Sequence, residues 1–143
     1  MVQLRHANPT DIRRLSDFLT DNSLPTVGVQ DCLENFIIAV DADGSWVGVA
    51  GYEMYGPNAL LRSVAVDKRS RNLGHGTTLV ETILANVRKR GVRTVYLFTE
   101  TAERYFSRLG FTPIERDKIE PAVKNSPEFT ECCSHCLLMR KTL

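Results

Sequence analysis

The chain has 143 residues, 43% of them hydrophobic and 24% charged, with a formal net charge of +1. That is enough apolar material for one true core, so a single domain spanning residues 1–143 is expected, and so even a charge balance argues against a nucleic-acid or membrane-surface binder. No window approaches the roughly 18 apolar residues of a membrane span, and MVQLRHANPTD lacks an apolar signal core; a cytoplasmic protein is expected, with its 4 cysteines, including those of CCSHC, as free thiols.

VQLRHA (2–7) alternates as a strand does, and Asn8 as N-cap, Pro9 and Asp11 then open a helix whose buried stripe is Ile12, Leu15, Phe18 and Leu19. A loop with Pro25 and Gly28 leads to a short helix near Gln30 to Leu33. NFIIAVD and SWVGVAGYEMYG read as strands joined by the ADG turn, Pro57 and Asn58 turn the chain again, and ALLRSVAV (59–66) is the next strand. After a basic loop, Leu79, Val80, Ile83, Leu84 and Val87 lie on one helical face, with Arg88, Lys89 and Arg90 in the last turn and Gly91 as the stop. TVYLFT (94–99) is a strand, AERYFSRLG a short helix ending at Gly110, and FTPIER and HCLLMRKTL are the last two strands. Between those two, KIEPAVKNSPEFTE should form short helical turns interrupted by Pro121 and Pro127. The order implies an α+β fold, a sheet flanked by helices.

The loop RSRNLGHGTTL (69–79) sits between a strand and an amphipathic helix. A helix start offers unpaired N–H groups and the positive end of the macrodipole, so such a loop can hold a phosphate-like anion. A mononucleotide loop needs Gly-Lys-Ser/Thr there, and Gly74-His75-Gly76-Thr77 has no lysine. A dinucleotide fingerprint needs a tight glycine turn directly after the strand and a third glycine, where Leu79 stands instead. A solvated turn and an anion-binding loop both fit the glycines by themselves.

Arg71-Asn72-Leu73-Gly74-His75-Gly76 reads R-x-x-G-x-G, and together with the later AERYFSRLGF the chain resembles the GCN5-related N-acetyltransferase (GNAT) superfamily over nearly its whole length. The resemblance implies the GNAT fold, a central, mostly antiparallel mixed sheet of about seven strands, with acetyl-CoA as cosubstrate and no metal. It implies that backbone N–H groups of Arg71, Asn72, Leu73, Gly74, His75 and Gly76, with Thr77, wrap the diphosphate. Val64 and Val66 would bond the pantetheine and the acetyl carbonyl, and Lys68, Arg69 and Arg71 would face the 3′-phosphate region. TAERYFSRLGF, the EPAV…S.EF segment and the Cys- and Ser-containing stretch also resemble small arsenic-resistance-associated N-acetyltransferases, and more distantly the acetyltransferase domain of N-acetylglutamate synthases. Such relatives acetylate α-amines of amino acids or similar compounds.

In many superfamily members the helix pattern A-x-x-x-Y-x-x-x-G-F carries a tyrosine that protonates the leaving thiolate. Here Phe106 holds that place, Tyr105 is one residue early and turned about 100° around the helix, and Leu60 stands where a glutamate base is usual. An α-amine of pKa ~8 needs about 1 kcal/mol to become neutral at pH 7, against about 4.6 for a lysine amine near ~10.4, so weak base equipment suits an α-amine. Positioning and backbone donors on the oxyanion would then supply most of the rate.

With Pro57 and Asn58 as the turn, Glu53 is expected to face Arg62 across the strands. The pair is either a surface ion pair or a functional one, with Arg62 on a substrate carboxylate and Glu53 holding the ammonium or acting through water as base. Thr99 and Ser134 match substrate-side hydroxyl positions of the synthase-like relatives. His75 reads as a spacer within the loop, and His6 and His135 receive no role. The expected function is acetyl transfer to the primary amine of a small molecule, such as an amino acid or an arsenic-containing analogue. The alternative is a non-catalytic acyl-CoA-binding or sensing domain. A soft-ion site at Cys132, Cys133 and Cys136 lacks a complete zinc pattern even with His135. A homodimer is possible; nucleic acid and membrane are not expected as partners.

Overall fold

The computed structural model describes residues 2–131 and 136–143. The chain runs β1 (Gln3–His6), α1 (Ile12–Asp21), β2 (Ile37–Val40), β3 (Trp46–Tyr55), β4 (Asn58–Val66), α2 (His75–Lys89), β5 (Thr94–Thr99), α3 (Glu103–Arg108), β6 (Thr112–Ile114), α4 (Pro127–Glu131) and β7 (Leu137–Thr142), with 3₁₀ segments between several of them. The strands form a single 7-stranded sheet in the order β1-β2-β3-β4-β5-β7-β6. Every neighbouring pair is antiparallel except β4 and β5. The α+β architecture read from element order is therefore the one observed.

Local chemistry explains the first helix. Asn8 Oδ1 accepts from Thr10 N–H at 3.0 Å and Asp11 Oδ2 accepts from Asn8 N–H at 2.9 Å, a reciprocal box over the 3₁₀ turn Pro9–Asp11 from which α1 continues. Leu15 and Leu19 are fully buried while Ile12 and Phe18 are half-buried, so the predicted stripe is narrower than expected. In α2 all five expected apolar residues, Leu79, Val80, Ile83, Leu84 and Val87, are buried against one face of the sheet. The opposite face is covered by α1 and the 3₁₀ segment Val29–Asn35, with Phe36, Ile38 and Val49 between them. Each fully buried aliphatic side chain contributes about 1.5–3 kcal/mol.

The site depends on what happens at β4. The β3–β4 turn is Gly56-Pro57, so Tyr55 pairs with Asn58 and Glu53 with Leu60, which corrects the expected Pro57-Asn58 turn by one residue. Further along, the register changes between Val49↔Ala65 and Gly51↔Arg62, and Ser63 takes φ 59°, a bulge that leaves Ser63 and Val64 opposite Ala50. β4 and β5 bond only over Asn58–Leu60 and Thr94–Tyr96. Beyond Leu60 the two parallel strands part, opening the sheet at its middle.

Candidate active site

The parted strands form the walls of a cleft of about 580 Å³, lined by Arg62 to Val66 of β4, Leu97 to Thr99 of β5, the segment Asn22 to Pro25 after α1, Phe106 and Glu128. Val64 and Val66 line it, on the stretch of β4 beyond its pairing with β5. At the end of β4, Gly74 is the N-cap of α2 in the left-handed region, φ 84° ψ 4°, and supplies no side-chain cap. The N-cap thus offers no side-chain acceptor to the first-turn N–H groups of α2. Asn72 also takes φ 67°, curling the loop back upon itself. Leu73 is 68% exposed, and His75 begins the helix half-buried. Arg71 closes the corner: its Nε donates to Val66 O and its Nη2 to Asn22 Oδ1, each at 3.1 Å.

Gly76 serves a second purpose. A Cβ there would lie 3.0 Å from Tyr105 Oη and 3.4 Å from Val66 Cγ2, so the glycine admits the tyrosine against the helix start. Tyr105 Oη shares a 3.0 Å hydrogen bond with Thr77 Oγ1. Phe106, not Tyr105, lines the cleft, and its ring packs edge-on between Tyr105 and Phe111. Thr99 lines the cleft, and its Oγ1 accepts from Ala102 N–H at 3.0 Å, which ties the end of β5 to the start of α3. Arg69 is paired loosely with Asp67 at 3.4 Å on the surface.

Deeper in the cleft lies a charged cluster. Arg62 Nη1 donates to Glu53 Oε2 at 2.7 Å, Nε to Ser63 Oγ at 3.0 Å and Nη2 toward Pro25 O at 3.5 Å, with Glu128 Oε2 3.9 Å from Nη2. The arginine side chain is 0% exposed, so the surface-pair reading of Arg62 and Glu53 fails. They meet diagonally, because Leu60 is the residue directly opposite Glu53. Tyr55 Oη donates to Glu53 Oε1 at 2.5 Å, and burial together with that bond pushes its phenol pKa well up. Burial likewise raises the Glu128 carboxyl, Arg62 pulling it down and Glu53 pushing it up. Burial pushes the Cys32 thiol up to about 12.

Glu128 and Tyr55 were not singled out from the sequence. The signal for Glu128 was Ser126-Pro127-Glu128, a helix start: Ser126 Oγ accepts from Glu128 N–H at 3.1 Å. Ser134, assigned a substrate-side hydroxyl, lies outside the described residues, as do Cys132, Cys133 and His135. Cys136 lines the cleft and is disulfide-bonded, so the expectation of free thiols holds at Cys32 and fails at Cys136. Among the described residues no group of three or more metal-ligating side chains converges, and no helix is long and apolar enough to cross a membrane.

Comparison with known proteins places this geometry in context. The model of the Acetyltransferase (GNAT) family matches residues 7–111. N-acetylglutamate synthase from Neisseria gonorrhoeae, complexed with coenzyme A and N-acetyl-glutamate, superposes with TM-score 0.86 at 16% identity over 100% of this chain, which spans only 35% of the synthase. Rv2747 from Mycobacterium tuberculosis, in complex with CoA and NLQ, gives TM-score 0.81 at 21% identity over 99% of each chain. A GNAT-family acetyltransferase from Staphylococcus aureus Mu50 gives 0.82 at 17%, over 100% of this chain and 99% of that one. At these identities the structural likeness speaks for the fold. No curated protein matches.

Proposed function

This chain belongs to the acetyltransferase (GNAT) family, and on that premise we propose that it transfers the acetyl group of acetyl-CoA to the primary amine of a small molecule, by direct attack in a ternary complex. The observation that carries the reading is the cleft between β4 and β5 with the α2 N-cap loop at its edge. Backbone N–H groups of residues 71–76 would take the diphosphate, and the edge of β4 at Val64 and Val66, where Arg71 Nε holds Val66 O, the pantetheine and the acetyl carbonyl. The neutral nitrogen attacks the thioester carbon, the C–N bond forms, and the C–S bond breaks with its electron pair on sulfur. An α-amine is the acceptor this equipment suits, since it gives up its proton for about 1 kcal/mol at pH 7.

An amino acid, or an arsenic-containing analogue of one, is the acceptor class we favour. Arg62 would take its carboxylate in place of the long 3.5 Å contact to Pro25 O, with Glu53 holding the guanidinium in place. The gonococcal synthase, bound to CoA and an N-acetylated amino acid, supports that choice. CoA release from acetyl-CoA, measured with free amino acids and simple primary amines, is the test; preference for carboxylate-free amines would refute the amino-acid assignment. One observation favours the second reading, a non-catalytic acyl-CoA sensor: the aromatic residue lining the cleft at the acid's place is Phe106, which has no proton to give. Tight acetyl-CoA binding with no turnover on any amine would establish it.

A further inference from the structure

Two carboxylates share one guanidinium in the cleft, and they are unequally served. Glu53 has both oxygens engaged, Oε2 by Arg62 and Oε1 by Tyr55. Glu128 lines the cleft with its side chain 10% exposed, and its contact to Arg62 Nη2 is 3.9 Å, beyond hydrogen-bond reach. Arg62 itself is fully covered. With both carboxylates ionised the cluster carries one negative charge more than Arg62 can balance. Of the two, Glu128 is thus the underbonded carboxylate.

We propose that Glu128 receives the acceptor's ammonium and takes one of its protons, leaving the neutral amine facing the thioester; this rests on the acetyl-transfer reading above. The balance is simple. One ammonium proton goes to Glu128 and on to solvent, the nitrogen adds to the carbonyl carbon, and its second displaced proton ends on the departing thiolate. Glu128 is built in for the task. Ser126 Oγ holds its N–H, and the preceding Pro127 is pressed onto Gly28, where a Cβ would lie 2.8 Å from Pro127 Cγ and where φ is 75°. Burial keeps the carboxyl raised above its ordinary value, which makes its carboxylate a stronger proton acceptor. The groups acting on it are Arg62 of β4 and Glu53 of β3; Tyr55 and Cys32 lie by Glu53, Glu100 also lines the cleft, and Arg116 stacks on neighbouring Phe129. An adjacent Arg62 and Glu128 also suit a zwitterion, whose opposite charges are neighbours.

The experiment compares wild type with Glu128→Gln and Glu128→Asp, using the best acceptor from a panel of free amino acids and primary alkylamines, from pH 6 to about 9.5. For Glu128→Gln we expect kcat/KM at pH 7 to fall about 100-fold or more, with acetyl-CoA affinity within twofold and a melting temperature equal to or above wild type. The deficit should shrink to about tenfold by pH 9.5, where an amine of pKa ~8 is already neutral, and Glu128→Asp should recover part of the rate. A Glu128→Gln enzyme within threefold of wild type, or one with a loss that is the same at every pH, overturns the role of Glu128 while leaving acetyl transfer intact. Wild-type protein that binds acetyl-CoA but acetylates nothing in the panel overturns both.

Discussion

Arg62 Nη1 lies 2.7 Å from Glu53 Oε2, with the arginine side chain wholly covered and Glu128 Oε2 3.9 Å from its Nη2. Removing one partner of such a pair leaves the other charge buried, which costs about 3–5 kcal/mol. Glu53→Gln should fall at the low end, because Glu128 remains to balance the guanidinium. Arg62→Met should cost more, since it strands two carboxylates. Thermal unfolding should show losses on the order of 10 °C or greater, in that order; melting within about 2 °C of wild type for both would mean that the pair is solvated.

Cosubstrate binding is expected to depend on the left-handed N-cap at Gly74. Gly74→Val meets no neighbouring atom within 4 Å but must hold φ 84° with a β-branched side chain, a strain of about 1–3 kcal/mol. It also places that side chain where the diphosphate would lie. Acetyl-CoA affinity in calorimetry should drop at least tenfold, a loss of about 1.4 kcal/mol or more. Equal affinity for wild type and variant would remove the loop from the binding site.

Tyr105 donates to or accepts from Thr77 at the start of α2 and does not line the cleft. Tyr105→Phe should therefore lower kcat less than tenfold and cost about 1 kcal/mol of stability through the lost hydrogen bond. Phe106→Tyr should leave activity similar or slightly raised if the hydroxyl is accommodated. A hundredfold fall in kcat for Tyr105→Phe, at unchanged acetyl-CoA affinity and melting temperature, would make Tyr105 the acid.

Asp11 joins β1 to the first helix, taking Arg5 on both oxygens at 2.8 and 2.9 Å. The Arg5 bond, aided by the Asn8 N–H, holds its carboxyl below the ordinary value despite burial. A depressed folded-state pKa adds stability that is present above the unfolded value of ~3.9 and is lost as pH falls through the folded one. Asp11→Asn should accordingly be less stable than wild type at pH 7, and the gap should close below about pH 4 in denaturant titrations. A gap unchanged from pH 7 to 3 would mean that the ionised carboxylate is not what stabilises the turn.

Much of this molecule is legible in its sequence. The apolar positions of α2 recur at the helical period and all five are buried, and the capping residues of the first helix bond as their types predict. These features depend on neighbours a few residues apart, so composition and spacing determine them. The same holds for Gly74 of the R-x-x-G-x-G loop, which its backbone angles require, whereas Gly76 is required by contact with the distant Tyr105.

The acceptor side was legible only in part. Glu53 and Arg62 were paired correctly, but through a register that a one-residue error in the turn displaced by two positions, so that a pair expected in direct opposition meets on the diagonal. Glu128 could not be found that way. It reaches Arg62 from a short helix between β6 and β7, and its burial, charge balance and access to the cleft are set by segments distant in sequence: Pro25, Gly28, Tyr55 and Ser126. Local pattern determined the sheet, the helices and the glycine loop before α2; which carboxylate is satisfied and which is left facing the cleft was decided by tertiary packing, because burial and charge pairing are sums over the whole neighbourhood.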